Sequence, residues 1–236
     1  SPTPADLPAL ARICRLVAGM PHGLVLAAGW LATCSPAEIA AEIERSLDFL
    51  SSSLSDLPER QRSLRATLDY SWQLLTAYER QAFQKLSVFQ GAFTRPAAAQ
   101  VAGVNVAGLR LLVDKSMLQA SAGSYRIHDL LRQYGSQKLA EDPPVHALVR
   151  TAHTEYYLQR LAGQESRLMS AQRSVALDEI DTEINDLQAA WGWACAQAHI
   201  PLLARSLLSL CLYYEMRVRY REGDQACQAA LSIAPA

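Results

Sequence analysis

The chain has 236 residues, 50% of them hydrophobic and 19% charged, and a formal net charge of −1. That length can bury a sizeable core in one large domain or two to three small ones, and the composition excludes disorder or low-complexity sequence as a whole-chain reading. No apolar run reaches the ~20 residues of a membrane span, the Ser-Pro-Thr-Pro start lacks a signal peptide's basic region, and near-neutral charge advertises no nucleic acid, so a cytoplasmic, membrane-free protein is expected.

The first segment, 1–58, reads as helical. Asp6 can cap a helix whose stripe is Leu7, Leu10, Ile13, Leu16 and Val17, and Gly19 and Pro21 end that pattern. A second helix, from about His22 to Thr33, is apolar on nearly every side and should be buried. Ser35, Pro36 and Glu38 stand at N-cap, N1 and N3 of a third helix carrying Ile39, Ile43 and Leu47, which precedes a Ser51-Ser52-Ser53 loop.

The second segment, 59–141, begins with Leu64, Leu68, Trp72 and Leu75 on one helical face. Thr76 and Glu79 form another capping box, and Thr94 caps a short Ala-rich helix that stops at Gly103. A helix over about Val106 to Lys115 follows. The period then changes, and Met117–Ala120 and Tyr125–Ile127 around a Ser-Ala-Gly-Ser turn predict a β-hairpin. Helices followed by a hairpin are the order of a winged helix, whose Trp72, Phe83, Phe89 and Phe93 read as core.

The third segment, 142–236, opens at the breaker Glu141-Asp142-Pro143-Pro144 and reads as helices over about 145–163, 174–198, 201–216 and 219–233. Helix pairs with short joints suggest the start of a helical-repeat superhelix. The fold expected overall is mainly α: a helical domain, a winged helix with a small hairpin, and a tetratricopeptide-like beginning.

The chemical inventory is sparse. Neither G-x-x-x-x-G-K-[ST], G-x-G-x-x-G, G-x-S-x-G nor H-E-x-x-H occurs, so no self-contained enzyme is expected. Cys14, Cys34, Cys195, Cys211 and Cys227 are odd in number without a C-x-x-C pair, and read as reduced, small apolar residues. His146 and His153 lack a third ligand nearby and read as a partly exposed helix face. Glu179, Asp181, Glu183 and Asp186 do not have EF-hand spacing and read as a solvated one.

Several runs change the picture when taken in order. They are Gly19-Met20-Pro21 between helices; Ser71-Trp72-Gln73-Leu74-Leu75; Glu79-Arg80-Gln81-Ala82-Phe83; Leu86 to Phe93; Leu112 to Leu118; and Tyr125-Arg126-Ile127-His128-Asp129-Leu130-Leu131. Together, over about residues 7–141, they resemble the C-terminal part of an NB-ARC-type switch module of STAND-class regulators, in the AfsR/SARP and LuxR/MalT-like group. Asp181–Trp191 looks like the linker into that family's tetratricopeptide-like sensor, and Tyr213–Leu231 like its first repeats.

The resemblance implies that Gly19 permits a turn, that Pro21 packs against adenine, and that His128 approaches the β-phosphate of ADP and holds an off state. Two departures are visible: Ile127-His128-Asp129 stands where the family has Met-His-Asp, and His22-Gly23 follow the proline in place of Leu-Ala. Asp129 is also placed to cap the helix Leu130–Leu139. The family's phosphate loop and Walker B aspartates have no counterpart, so the chain is expected to be part of a longer protein and not to hydrolyse ATP by itself. ADP or ATP belongs to that intact protein. The partners implied are its own P-loop domain and an effector, protein or small molecule, at the helical repeats.

Charge by segment bears on DNA. Residues 59–140 carry 11 basic and 5 acidic residues, while both flanks are net acidic. Yet the helix in recognition position offers mainly Leu109, Leu111, Leu112 and Val113, with Arg110 and Lys115 as its basic groups, and lacks an Asn, Gln and Arg face for base edges. The reading is a nucleotide-gated regulatory segment whose winged helix rotates on effector binding, not a DNA reader. The alternatives are a winged-helix DNA-binding regulator with a helical dimerisation domain, or a protein-interaction scaffold.

Overall fold

The computed structural model describes residues 6–17, 21–45, 49–50 and 64–233. Gly19, Leu47, the Ser51–Ser53 loop and the boundary near residue 58 lie outside them. The expected mainly α fold with a small sheet is present.

The arm consists of α1 (Leu7–Leu16), α2 (Pro21–Gly29) continued by a 3-10 turn at Trp30–Ala32, and α3 (Pro36–Arg45). Ser35 and Glu38 close their capping box: Ser35 N donates to Glu38 Oε2 at 2.8 Å and Glu38 N donates to Ser35 Oγ at 3.3 Å. Asp6 occupies the N-cap of α1 but makes no side-chain cap bond there, because its backbone is already helical. Leu7, expected on the buried stripe, is exposed, and Ile13, Leu16 and Val17 carry the packing.

Next come α4 (Leu64–Gln73), α5 (Ala77–Leu86), β1 (Phe93–Thr94), α6 (Arg95–Ala102), α7 (Val106–Asp114), β2 (Gln119–Ser121), β3 (Ser124–Arg126) and α8 (Asp129–Ala140). The Thr76–Glu79 box caps α5, and Thr94 caps α6 through Ala97 N. At the C-terminus of α6, Gly103 adopts φ 67°, the left-handed cap conformation open to glycine. The hairpin is tighter than the expected four-residue turn: only Ala122 and Gly123 lie between the strands, with φ 44° and 85°, the two positive values a primed turn requires. A third strand, not anticipated, joins the sheet, whose order is β1-β3-β2 with Phe93 opposite Tyr125. Two residues are too short to show an alternating pattern.

The remainder is helical: α9 (Pro143–Ala162), the single turn α10 (Glu165–Leu168), α11 (Arg173–Ala196), α12 (Ile200–Met216) and α13 (Tyr220–Leu231). α9 packs on α11 and α12, and α12 on α13. Among the described residues no single helix is long and apolar enough to cross a membrane.

Among the described residues, two hydrophobic cores result. One joins arm residues such as Ile13, Val17, Ile39 and Ile43 to Leu68 of α4 and to Leu130 and Tyr134 of α8. The other runs without a break from Phe83, Phe89, Leu109 and Ile127 of the winged helix into Tyr157, Leu187, Trp191 and Tyr213 of the third segment. Trp72 and Leu131 touch both.

Candidate functional site

Ile127 is buried in the core, and the chain leaves β3 in an extended conformation and turns into α8 at His128. His128, not Asp129, is therefore the N-cap, with φ −65° and ψ 144°; Asp129 is the first helical residue, and no side-chain cap bond is formed. The physical reason is the hairpin exit, which keeps His128 extended and lets the helix begin one residue earlier than expected. Asp129 instead lies 3.9 Å from Arg132 one turn on.

The His128 imidazole reaches back to the arm, with Nε2 2.6 Å from the carbonyl oxygen of Arg15. A carbonyl only accepts, so Nε2 carries the proton and donates. Nδ1 is enclosed without a hydrogen-bond partner. The ring borders a cleft of about 680 Å³ between arm and winged helix, lined also by Arg12, Arg15, Glu44, Gln119 and Arg126. Arg12 is engaged by Glu44 in a two-pronged ion pair, at 2.8 and 2.5 Å. Three arginines against Glu44 and Asp129 leave the cleft net basic, and it lies beside the N-terminus of α8, whose unpaired amides favour anions. Pro21, the first residue of α2, is described only in its backbone place, and Gly19 not at all. Of the three sequence-predicted site residues, the structure thus brings His128 alone into a defined cleft.

The other side of the winged helix holds a polar cluster whose Asp186 was expected on a solvated face and whose His153 on a partly exposed one. Asp186 and His153 are both fully buried. The Asp186 carboxylate accepts from Gln90 N at 2.7 Å, from Gly91 N at 3.0 Å and from His153 Nε2 at 2.8 Å. A Cβ on Gly91 would stand 3.2 Å from Asp186 Oδ2, so glycine permits the approach. Phe89 stacks on Phe93 and meets the His153 ring at 5.7 Å, edge to face. A buried carboxylate is tolerated here because three donors satisfy it. The signal was present in the sequence: His153 sits on the stripe Val149, His153, Tyr157, Leu161 at intervals of four.

Other members of the acidic run are also partnered. Glu179 pairs with Arg167, and the Arg167 and Gln164 side chains pull its carboxyl down to about 2. Asp181 accepts from Tyr213 Oη at 2.7 Å, and Glu183 pairs with Arg160. His146 meets the edge of Trp193, and burial followed by the nearby Arg150 charge lowers its pKa. Among the described residues, no three His, Cys, Asp or Glu side chains converge as metal ligands.

On the winged helix, α7 is capped by Asn105 and turns Leu109 and Leu112 inward. Its outward face carries Val106, Ala107, Arg110, Leu111 and Asp114, and Arg110 lies 3.7 Å from Asp114. Lys115 is drawn away to the buried Glu79 at 2.7 Å and to the carbonyl of Leu74. Lys115 and the Thr76 amide hold the Glu79 carboxyl below its ordinary value.

No protein-family model matches the chain. No solved structure matches it. The chain is 32% identical over 227 residues to the Mycobacterium tuberculosis protein named "Putative HTH-type transcriptional regulator Rv0890c", a match covering 91% of the chain and 25% of that protein. It has the same identity and coverage with the Mycobacterium bovis protein named "Putative HTH-type transcriptional regulator Mb0914c". A further M. tuberculosis relative, "Uncharacterized protein Rv0894", is 29% identical over 150 residues, covering 58% of the chain and 38% of that protein. The chain therefore spans about a quarter of the length of the first of these relatives, and is similar over nearly its whole length to a section of proteins named as transcriptional regulators.

Proposed function

We propose that this chain is a regulatory segment of a transcription regulator, a switch and partner-interaction module distinct from the element that reads DNA. The observation that carries this is the outward face of α7. Val106, Ala107 and Leu111 are apolar, and the face's one basic side chain, Arg110, lies 3.7 Å from Asp114 within the same helix. Base edges in the major groove are read by Arg, Lys, Asn or Gln side chains free to form paired hydrogen bonds, and this face offers a single one, Arg110. An apolar face of that kind suits docking against protein.

The finer reading is nucleotide-gated. The basic cleft beside His128 fits the diphosphate of an adenine nucleotide in its charge, in its size and in the helix N-terminus at its edge. Bound there, a nucleotide would supply a competing acceptor for the His128 proton. Arg15 and Arg126 would hold the negative charge, and Pro21 is proposed to border the base. His128 Nε2 has one proton to give: it can donate to the Arg15 carbonyl or to an anion, and the choice couples cleft occupancy to the arm. Nucleotide hydrolysis, the P-loop partner domain and an effector at the helical repeats belong to the whole protein on this reading. In the full-length protein His128→Ala should weaken ADP binding and raise basal activity; unchanged ADP affinity would refute the assignment.

A second reading, a DNA-binding winged helix with helical dimerisation, is favoured by the names of the relatives, which speak of transcription and not of nucleotides. The excess of basic residues over 59–140 also favours it. A salt-dependent shift of duplex DNA by the 236-residue chain at micromolar concentration would establish it in place of the first.

A further inference from the structure

Two of the five cysteines face each other. Cys211 in α12 and Cys227 in α13 bring their sulfurs to 3.7 Å, and both are half-buried. We propose that this pair is a site of reversible oxidation whose disulfide staples α13 to the rest of the helical array. It goes beyond the switch reading and does not depend on it.

The site is built by the packing of α12 on α13. A disulfide has sulfurs about 2.05 Å apart, so the gap must close by about 1.7 Å, a movement on the scale of a side-chain rotation. The consequence falls on α13 because no side chain of that helix is fully buried. It is held by Ala226 and Ala230 against the core, by Trp191 Nε1 donating to the Ala226 carbonyl at 2.9 Å, and by Gln188 donating to Glu222 at 3.1 Å. A segment with so little burial opens locally at small free-energy cost, and a covalent link across 16 residues restricts that opening.

The chemistry needs a hydroperoxide. Cys227 sulfur attacks one peroxide oxygen, the O–O bond breaks, and the first water leaves with the Cys227 proton. Cys211 sulfur then displaces the sulfenic hydroxyl, which departs as the second water with the Cys211 proton. Two thiols lose two electrons, and one peroxide becomes two waters. Burial and the neighbouring Cys227 push the Cys211 thiol up, and the scheme balances equally with the two sulfurs exchanged. The staple also fixes one wall of a 280 Å³ groove lined by Trp191, Leu210, Tyr214, Glu222 and Ala226.

The test treats the reduced 236-residue chain with hydrogen peroxide, alkylates the remaining thiols and digests it. The expected result is a Cys211–Cys227 cross-linked peptide that dithiothreitol reverses, together with about tenfold slower amide exchange in α13. Cys211→Ser and Cys227→Ser should each remove both effects, and Cys195→Ser neither. The proposal is overturned if Cys211 and Cys227 stay alkylatable at a dose that oxidises the exposed Cys14. It is equally overturned if the cross-link forms and α13 exchanges at the same rate in both states.

Discussion

On its arm side the winged helix offers Leu68, Leu130 and Tyr134 to a second, smaller core, and among the described residues its polar links there are peripheral: His128 to Arg15, and Gln133 to the carbonyl of Glu44. On its other side the same domain has no core of its own, because Phe83, Phe89 and Leu109 share one continuous cluster with α9, α11 and α12. The polar links there are buried and converge on Asp186. Half-exposed hydrogen bonds at the edge of a cleft can exchange with water or an anion at little cost, whereas breaking a buried three-donor carboxylate leaves its partners unsatisfied. The difference makes the arm seam the weaker of the two and the other the stronger. Any rotation of the winged helix against the arm would then carry the helical array with it as one body.

The rigid seam should show the largest mutational effects. Phe89→Ala removes a ring packed on Phe93, His153 and Tyr157, and should cost about 4 kcal/mol in denaturant unfolding. Asp186→Ala leaves the Gln90 and Gly91 amides and His153 without their acceptor and should cost about 3 kcal/mol, with Asp186→Asn costing less because one oxygen remains. If either substitution proves neutral, the seam is not the stabilising one.

A smaller, pH-dependent effect is expected at Glu79, inside the winged helix. Its carboxyl is held below 4.5, first by Lys115 and then by the Thr76 amide, so its contribution is complete above that value and disappears as pH falls through its own lowered one. Glu79→Gln should cost about 1–2 kcal/mol at neutral pH and flatten the acid limb of a stability–pH curve below 4.5. The smallest effect belongs to the arm seam: His128→Ala should change stability by no more than about 1 kcal/mol, since water can satisfy the Arg15 carbonyl. On the proposed nucleotide-gated reading, a residue so cheap in stability would still matter for ADP binding in the full-length protein, which is what would separate a switch from a strut.

Helix positions were legible wherever local chemistry decides them: the Ser35–Glu38 and Thr76–Glu79 boxes, Thr94 and Gly103 stand where their residue types put them. Asp129 and Asp6 were misread as side-chain caps because capping needs an extended backbone at that residue, and the approach of the preceding chain sets that. Asp186 was misread as solvated, and His153 as partly exposed, for a related reason. Their burial depends on the Gln90–Gly91 turn, 95 residues away from Asp186, presenting two amides to the carboxylate. In the candidate site the sequence pointed to His128, but its bond to Arg15 links residues 113 apart and no local pattern contains it.

The central claim, that the winged helix moves with the helical array and not with the arm, is tested most directly by native-state hydrogen exchange across the described helices. The account predicts that α5, α7 and the buried turns of α9 and α11 share one opening free energy, which Asp186→Ala lowers for all of them, while α1 and α3 open separately and are unmoved by that substitution. The contradictory result is joint opening of the arm with α5 and α7 while α9 and α11 exchange as a unit of their own.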